Sequence, residues 1–168
     1  YANGTLEVTG RELTITAASA SKTYDGTPLT DSGYSITAGT LAAGHTLTAV
    51  TVTGSQTAVG SSANVPSAAV ILDGDDNDVT ANYDITYANG TLEVTGRVLT
   101  ITAASASKVY DGTPLTDAGY SITAGTLAAG HTLTAVTVTG SQTAVGSSDN
   151  VPSAAVILDG DDNDVTAN

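Results

Sequence analysis

The sequence predicts a mostly β protein built of tandem repeats. Two observations carry that expectation: the chain matches itself at an offset of 86 residues, and its apolar side chains recur at every second position. Tyr1-Ala2-Asn3-Gly4-Thr5-Leu6-Glu7-Val8 reappears as Tyr87-Ala88-Asn89-Gly90-Thr91-Leu92-Glu93-Val94, and the identity runs on to Asn168. It is broken only at Glu12/Val98, Thr23/Val109, Ser32/Ala118 and Ala63/Asp149. Such a period is longer than the roughly 20 to 50 residues of a solenoid unit and suits a small autonomous domain of about 50 to 200 residues. The expected divisions are residues 1–10, the closing strand of a preceding repeat; 11–96, a complete repeat; and 97–168, a second repeat lacking its closing hairpin. Both ends read as cut from a longer array.

The elements follow in order. Thr5-Leu6-Glu7-Val8-Thr9, Leu13-Thr14-Ile15-Thr16-Ala17 and Tyr83-Asp84-Ile85-Thr86-Tyr87 alternate apolar and polar, as half-buried strands do. Asp25-Gly26-Thr27-Pro28 is a turn, with Thr27 pushed into extended backbone by the proline after it. Leu41-Ala42-Ala43-Gly44 is the one segment suited to a short helical turn. Thr46 to Thr53 alternates but changes phase between Ala49 and Val50, which predicts a bulge. Gly54, Gly60, Ser61 and Ser62 mark loops, and Ala68-Ala69-Val70-Ile71-Leu72 reads as a strand buried on both faces. Asn89-Gly90 joins two alternating runs and supplies the positive φ of a tight turn, so residues 83–95 are expected to form an antiparallel hairpin.

Composition excludes some partners. With four Lys and Arg against 17 Asp and Glu, the formal net charge is −13, so phosphate backbones and anionic lipid surfaces are repelled. No apolar run approaches the 18 or so residues of a spanning helix, so neither nucleic acid nor membrane insertion is expected. Cys, Met, Trp and Phe are absent, which removes disulfides and thiolate metal sites and leaves Leu, Ile, Val and seven Tyr to form a thin core.

Three ordered segments carry a family resemblance: Lys22-Thr23-Tyr24-Asp25-Gly26-Thr27-Pro28-Leu29-Thr30, then Gly39-Thr40-Leu41-Ala42-Ala43-Gly44-His45, then Asp78 to Tyr87 with Gly90-Thr91-Leu92-Glu93-Val94. Together they resemble the MBG (mostly β-grasp) repeat of bacterial surface and adhesin proteins. The resemblance spans the whole unit and recurs in the second copy. It implies tandem β-grasp-like domains with little or no helix, arranged end to end, and it brings no catalytic residues.

Candidate chemistry is sparse. Asp73-Gly74-Asp75-Asp76-Asn77-Asp78, repeated as Asp159 to Asp164, offers oxygens of the kind Ca²⁺ prefers. It lacks the glycine at the sixth position of an EF-hand loop and has Asp84 where that loop needs a bidentate glutamate. A solvated turn is the expectation, with no metal site. His45 and His131 each follow a turn glycine and are expected to be solvent-exposed. No Gly-x-Ser-x-Gly elbow accompanies them, and no catalytic residue is expected. Gly54 to Ser62 has no lysine and no following helix, so it is not a phosphate loop. Lys22 and Lys108, with Asn64, Asn82 and Asp25, satisfy the composition of a covalent Lys–Asn crosslink, but an exposed lysine or surface salt bridge is expected instead. Asn3 and Asn89 match a glycosylation acceptor pattern that their turn role explains better.

The functional expectation is a structural spacer or stalk repeat of a bacterial cell-surface or extracellular adhesin or fibre, with no catalysis and no cofactor. The alternative is a multivalent glycan- or protein-binding module. The expected partners are neighbouring repeats, head to tail, forming a fibre by strand completion. In that scheme residues 5–9 pair with the strand near Leu99 to Ala103 of an adjacent copy.

Overall fold

The computed structural model describes residues 1–168, and the chain is mostly β with no α-helix. It divides into two compact units, Tyr1–Lys22 with Pro28–Val94, and Thr23–Thr27 with Thr95–Asn168. Thr23–Thr27 groups with the second unit. There the Tyr24 amide donates to Thr95 O at 2.8 Å and its ring packs at a tilt against His131.

The first unit holds β1 (Arg11–Ala17), β2 (Ala20–Thr23), β3 (Tyr34–Gly39), β4 (Thr46–Thr53), β5 (Gly60–Leu72), β6 (Tyr83–Ala88) and β7 (Gly90–Thr95). In one sheet, ordered β3-β1-β6, the central β1 runs antiparallel to β3 and parallel to β6. The other is ordered β2-β7-β5-β4. The long β5 serves two neighbours in succession: Gly60–Asn64 pair with β7 and Val65–Leu72 with β4, both antiparallel. Alternation in sequence becomes alternation in burial, with Leu13, Ile15 and Ala17 buried along β1 and Gly90, Leu92 and Val94 along β7. The core joins Leu13, Ile15, Ala69, Ile71 and Tyr83, with Ile36, Leu47 and Val79 packed around them.

The phase change expected at Ala49 is present, since the β4–β5 register shifts on both sides of that residue. The matching irregularity on β5 places Ala68 at φ 49°, and Ala154 repeats it at 48°. The bulge turns the Ala69 N–H out of the ladder, and the Tyr87 hydroxyl accepts it at 2.9 Å. Leu41 to Gly44 forms a tight turn, closed by His45 N donating to Ala42 O with Gly44 at φ 79°, and the one helical turn is a 3-10 segment at Thr80–Asn82. Gly60 to Ser62, read as loop, lie in β5, because β7 supplies a partner that local sequence does not reveal.

The hairpin expected over residues 83–95 does not form. β6 and β7 join different sheets, β6 against β1 and β7 against β5 and β2. Gly90 is buried in a strand and absent from the residues with positive φ. A side chain there would run into the carbonyl oxygens of Ala17 and Ala18, so close backbone approach, not turn geometry, requires the glycine.

The second unit forms β8 (Thr100–Ala103), β9 (Tyr120–Ala124), β10 (Thr132–Thr139) and β11 (Val151–Leu158), paired antiparallel as β8–β9 and β10–β11. Ala106–Val109 and Gly146–Asn150, the counterparts of β2 and of the first part of β5, are not strands. Both flank β7 in the first unit, and the sequence stops before the counterparts of β6 and β7. Residues 1–10 form no strand and are exposed throughout, so residues 5–9 pair with nothing in the chain. All four pairs of differing residues sit at exposed positions, leaving the packed faces of the two copies identical.

Candidate functional site

The acidic loop is a hydrogen-bonded turn. Asp73 Oδ1 accepts from the amides of Asp75 at 2.9 Å and Asn77 at 3.0 Å, while Asn77 Nδ2 reaches Oδ2 at 3.1 Å. The backbone closes through Asp73 N to Asn77 O, with Asp76 at φ 61°. The Asn77 amide donors, backbone then side chain, are the main reason the Asp73 carboxyl lies below its ordinary value; Asp159 is lowered likewise by Asn163. Asp78 bonds the Thr80 amide at 2.9 Å, so its carboxylate is also committed to the backbone. No group of three or more His, Cys, Asp or Glu is arranged to hold a metal ion. The loop's chemistry is that of Asx turns, in which aspartate caps nearby N–H groups.

His45 is half-buried, which corrects the exposed placement expected for it. Its Nδ1 lies 2.8 Å from the Tyr83 hydroxyl, which also accepts the Ala42 amide at 3.0 Å. The pair ties the turn before β4 to the first residue of β6. His131, also half-buried, meets the Tyr24 ring at a centroid distance of 5.5 Å. Tyr24 is nearly buried, and its hydroxyl is raised above the ordinary tyrosine value, by desolvation first and then by Asp159 and Asp25.

Lys108 forms the expected surface ion pair with Asp111 Oδ1 at 2.8 Å and donates to Thr113 Oγ1 at 2.6 Å. Lys108 is the main reason the Asp111 carboxyl is lowered. Asn64 is fully buried and directs Nδ2 to Ala18 O and Asp31 O, both at 2.9 Å; Asn150 repeats both bonds to Ala104 O and Asp117 O. This staple, considered from sequence only as a crosslink partner, holds two loops against β5. Its signal was an Asn beside Val65-Pro66 in a run otherwise too small and apolar to need one.

β7 has a well-defined seat. In the first unit Thr91 N donates to Ser19 Oγ at 2.9 Å, and Leu92 and Val94 are 0% and 1% exposed. The corresponding residues of the second unit, Ser105–Lys108 and Gly146–Asn150 with Ile101 and Pro152, line a concavity of about 860 Å³. No family model, curated protein or solved structure matches the chain.

Proposed function

We propose that the chain is a spacer segment of a bacterial surface or extracellular adhesin or fibre, composed of β-grasp-like repeats of the MBG type joined head to tail, and without catalytic activity. The observation that carries this reading is the parallel pairing of β1 with β6 over Arg11–Thr16 and Tyr83–Ala88. Tension applied at residues 11 and 96 acts on the start of β1 and, once β7 is drawn from its sheet, on the end of β6, pulling these parallel neighbours in opposite directions. All the hydrogen bonds between them are loaded in shear together, not one at a time. That geometry suits a load-bearing stalk.

The polar side chains support the same reading. Asp25, Asp31, Asp73 and Asp78 cap nearby backbone amides, and the Asn64 staple, the Asp73 turn and the Leu29–Gln56 bridge recur in the second copy as Asn150, Asp159 and Leu115–Gln142. A net charge of −13 keeps such a surface solvated.

Single-molecule stretching between residues 11 and 96 tests the proposal. A complete repeat of 86 residues releases roughly 280 to 310 Å of contour length, less its folded span, in one abrupt event. Gradual extension without a force peak would remove the basis for a load-bearing role.

A further inference from the structure

Asn89 is the whole of the joint between the two sheets of the first unit: β6 ends at Ala88, β7 begins at Gly90, and the two strands pair with different partners. Its side chain is exposed, whereas Gly90 is buried and stands opposite Asn64 in the β5–β7 ladder. Close approach to the Ala17 and Ala18 carbonyls accounts for the glycine. It does not account for the asparagine, because the pair makes no tight turn and Gly90 has no positive φ. An Asn-Gly pair has a chemistry of its own: the side-chain carboxamide lies within reach of a backbone nitrogen that no following side chain shields.

We propose that Asn89-Gly90 is a deamidation site gated by the docking of β7, inert while that strand is seated and reactive once it is withdrawn. The Gly90 nitrogen gives its proton to hydroxide and attacks Asn89 Cγ. The new N–Cγ bond closes a five-membered imide as the Cγ–Nδ2 bond breaks, and ammonia leaves. Water then opens the ring at one of its two carbonyls. Cleavage of the N–Cγ bond restores the ordinary backbone and leaves aspartate; cleavage at the backbone carbonyl routes the chain through the former side chain and leaves isoaspartate. Ring closure requires the peptide unit between Asn89 and Gly90 to rotate until the nitrogen faces Cγ, and the seated strand prevents it. Strands hold that unit on both sides, Thr91 N is bonded to Ser19 Oγ at 2.9 Å, and Leu92 and Val94 are sealed from solvent. Gly90 itself lies against Ala17 and Ala18, and Asn64 pins that loop through Nδ2 to Ala18 O at 2.9 Å. Withdrawing β7 releases all of these restraints together. The product then opposes reseating. Isoaspartate adds a backbone carbon to a joint of one residue, and β6 is fixed by its register with β1, so the added length moves Gly90 from the place opposite Asn64 where a side chain has no room. A repeat held open becomes a repeat marked as opened. The proposal does not rest on the spacer reading, since any cause of opening exposes the site.

The test ages the 168-residue chain in mildly alkaline buffer, folded and in urea, and follows aspartate and isoaspartate at position 89 by peptide mapping and mass spectrometry, which separate it from Asn3-Gly4. Conversion at Asn89 should be at least about tenfold slower in the folded chain. Asn64→Ala and the milder Leu92→Val, which loosen the seat of β7, should raise the rate in buffer and leave the rate in urea unchanged. Chain aged in urea and returned to buffer should show no hydrogen-exchange protection at Thr91–Val94 in its isoaspartate fraction, whereas Asn89→Asp, with an ordinary backbone, should regain it. Equal rates in the folded and unfolded chain, a buffer rate that neither variant raises, or an isoaspartate fraction that recovers protection of β7 would each overturn the proposal.

Discussion

Leu92 and Leu6 allow one substitution to be made twice in the same local sequence, with opposite expected outcomes. Leu92 is fully buried in β7, and Leu6 is fully exposed. Leu92→Ala removes three carbons worth about 0.8 kcal/mol each, roughly 2.4 kcal/mol, and the unfilled space between β7 and the neighbouring sheet raises the loss to about 3 kcal/mol. A domain of this size has a stability of about 4 to 13 kcal/mol, and a core without Phe, Trp or Met lies towards the lower end. The loss is thus a large fraction of the total, equivalent to lowering the first unit's melting temperature by about 12 to 24 °C. Leu6→Ala should change it by no more than about 0.5 kcal/mol. Differential scanning calorimetry on dilute chain, below the concentration at which any assembly forms, separates the two. A Leu92→Ala loss under about 1 kcal/mol, or a matching loss in Leu6→Ala, would show that the placement of β7 is wrong.

Three further outcomes are expected. Ala68 is exposed with φ 49°, so Ala68→Gly should relieve left-handed strain and raise stability by up to about 1 kcal/mol in urea titrations. Asn64→Ala leaves the carbonyls of Ala18 and Asp31 without their donor and should cost about 2 to 3 kcal/mol, read in the same titrations. Asp73, Asp78, Asp111, Asp159 and Asp164 are lowered in the folded chain by the donors that cap them, so their contribution is fully present above the unfolded carboxyl value of about 3.9 and is lost as pH falls through the lower folded values. Stability should therefore be insensitive to these groups near pH 6 and decline below about pH 4. Asp73→Ala should flatten that decline for the first unit in denaturation midpoints followed by circular dichroism.

The strands with strict alternation were legible because each carries its burial pattern in its own residues. Leu13, Ile15 and Ala17 announce β1, and Leu92 and Val94 announce β7. The partners were not legible. Asn89-Gly90 suggested a hairpin, since local sequence cannot record that β1 offers a parallel edge to one side of Asn89 and β5 an antiparallel edge to the other. β2, with sequence Ala-Ser-Lys-Thr, has no apolar alternation and is a strand only because β7 lies beside it. The acidic turn was legible in kind, because Asp and Asn at those spacings reach their own backbone. The histidine's placement was not, because its partner Tyr83 lies 38 residues away.

The parallel pairing also bears on the order in which the fold can be reached. β1 is among the earliest elements of its repeat, yet the strand that completes its sheet lies roughly 70 residues further along, a separation that makes closure entropically slow. The β4–β5 ladder needs only nearby chain. A nascent or threading polypeptide therefore carries each repeat as an antiparallel ladder with a loose leading segment. The repeat locks only when its final dozen or so residues emerge, so a pore or ribosomal tunnel holds back at most one unfinished repeat at a time.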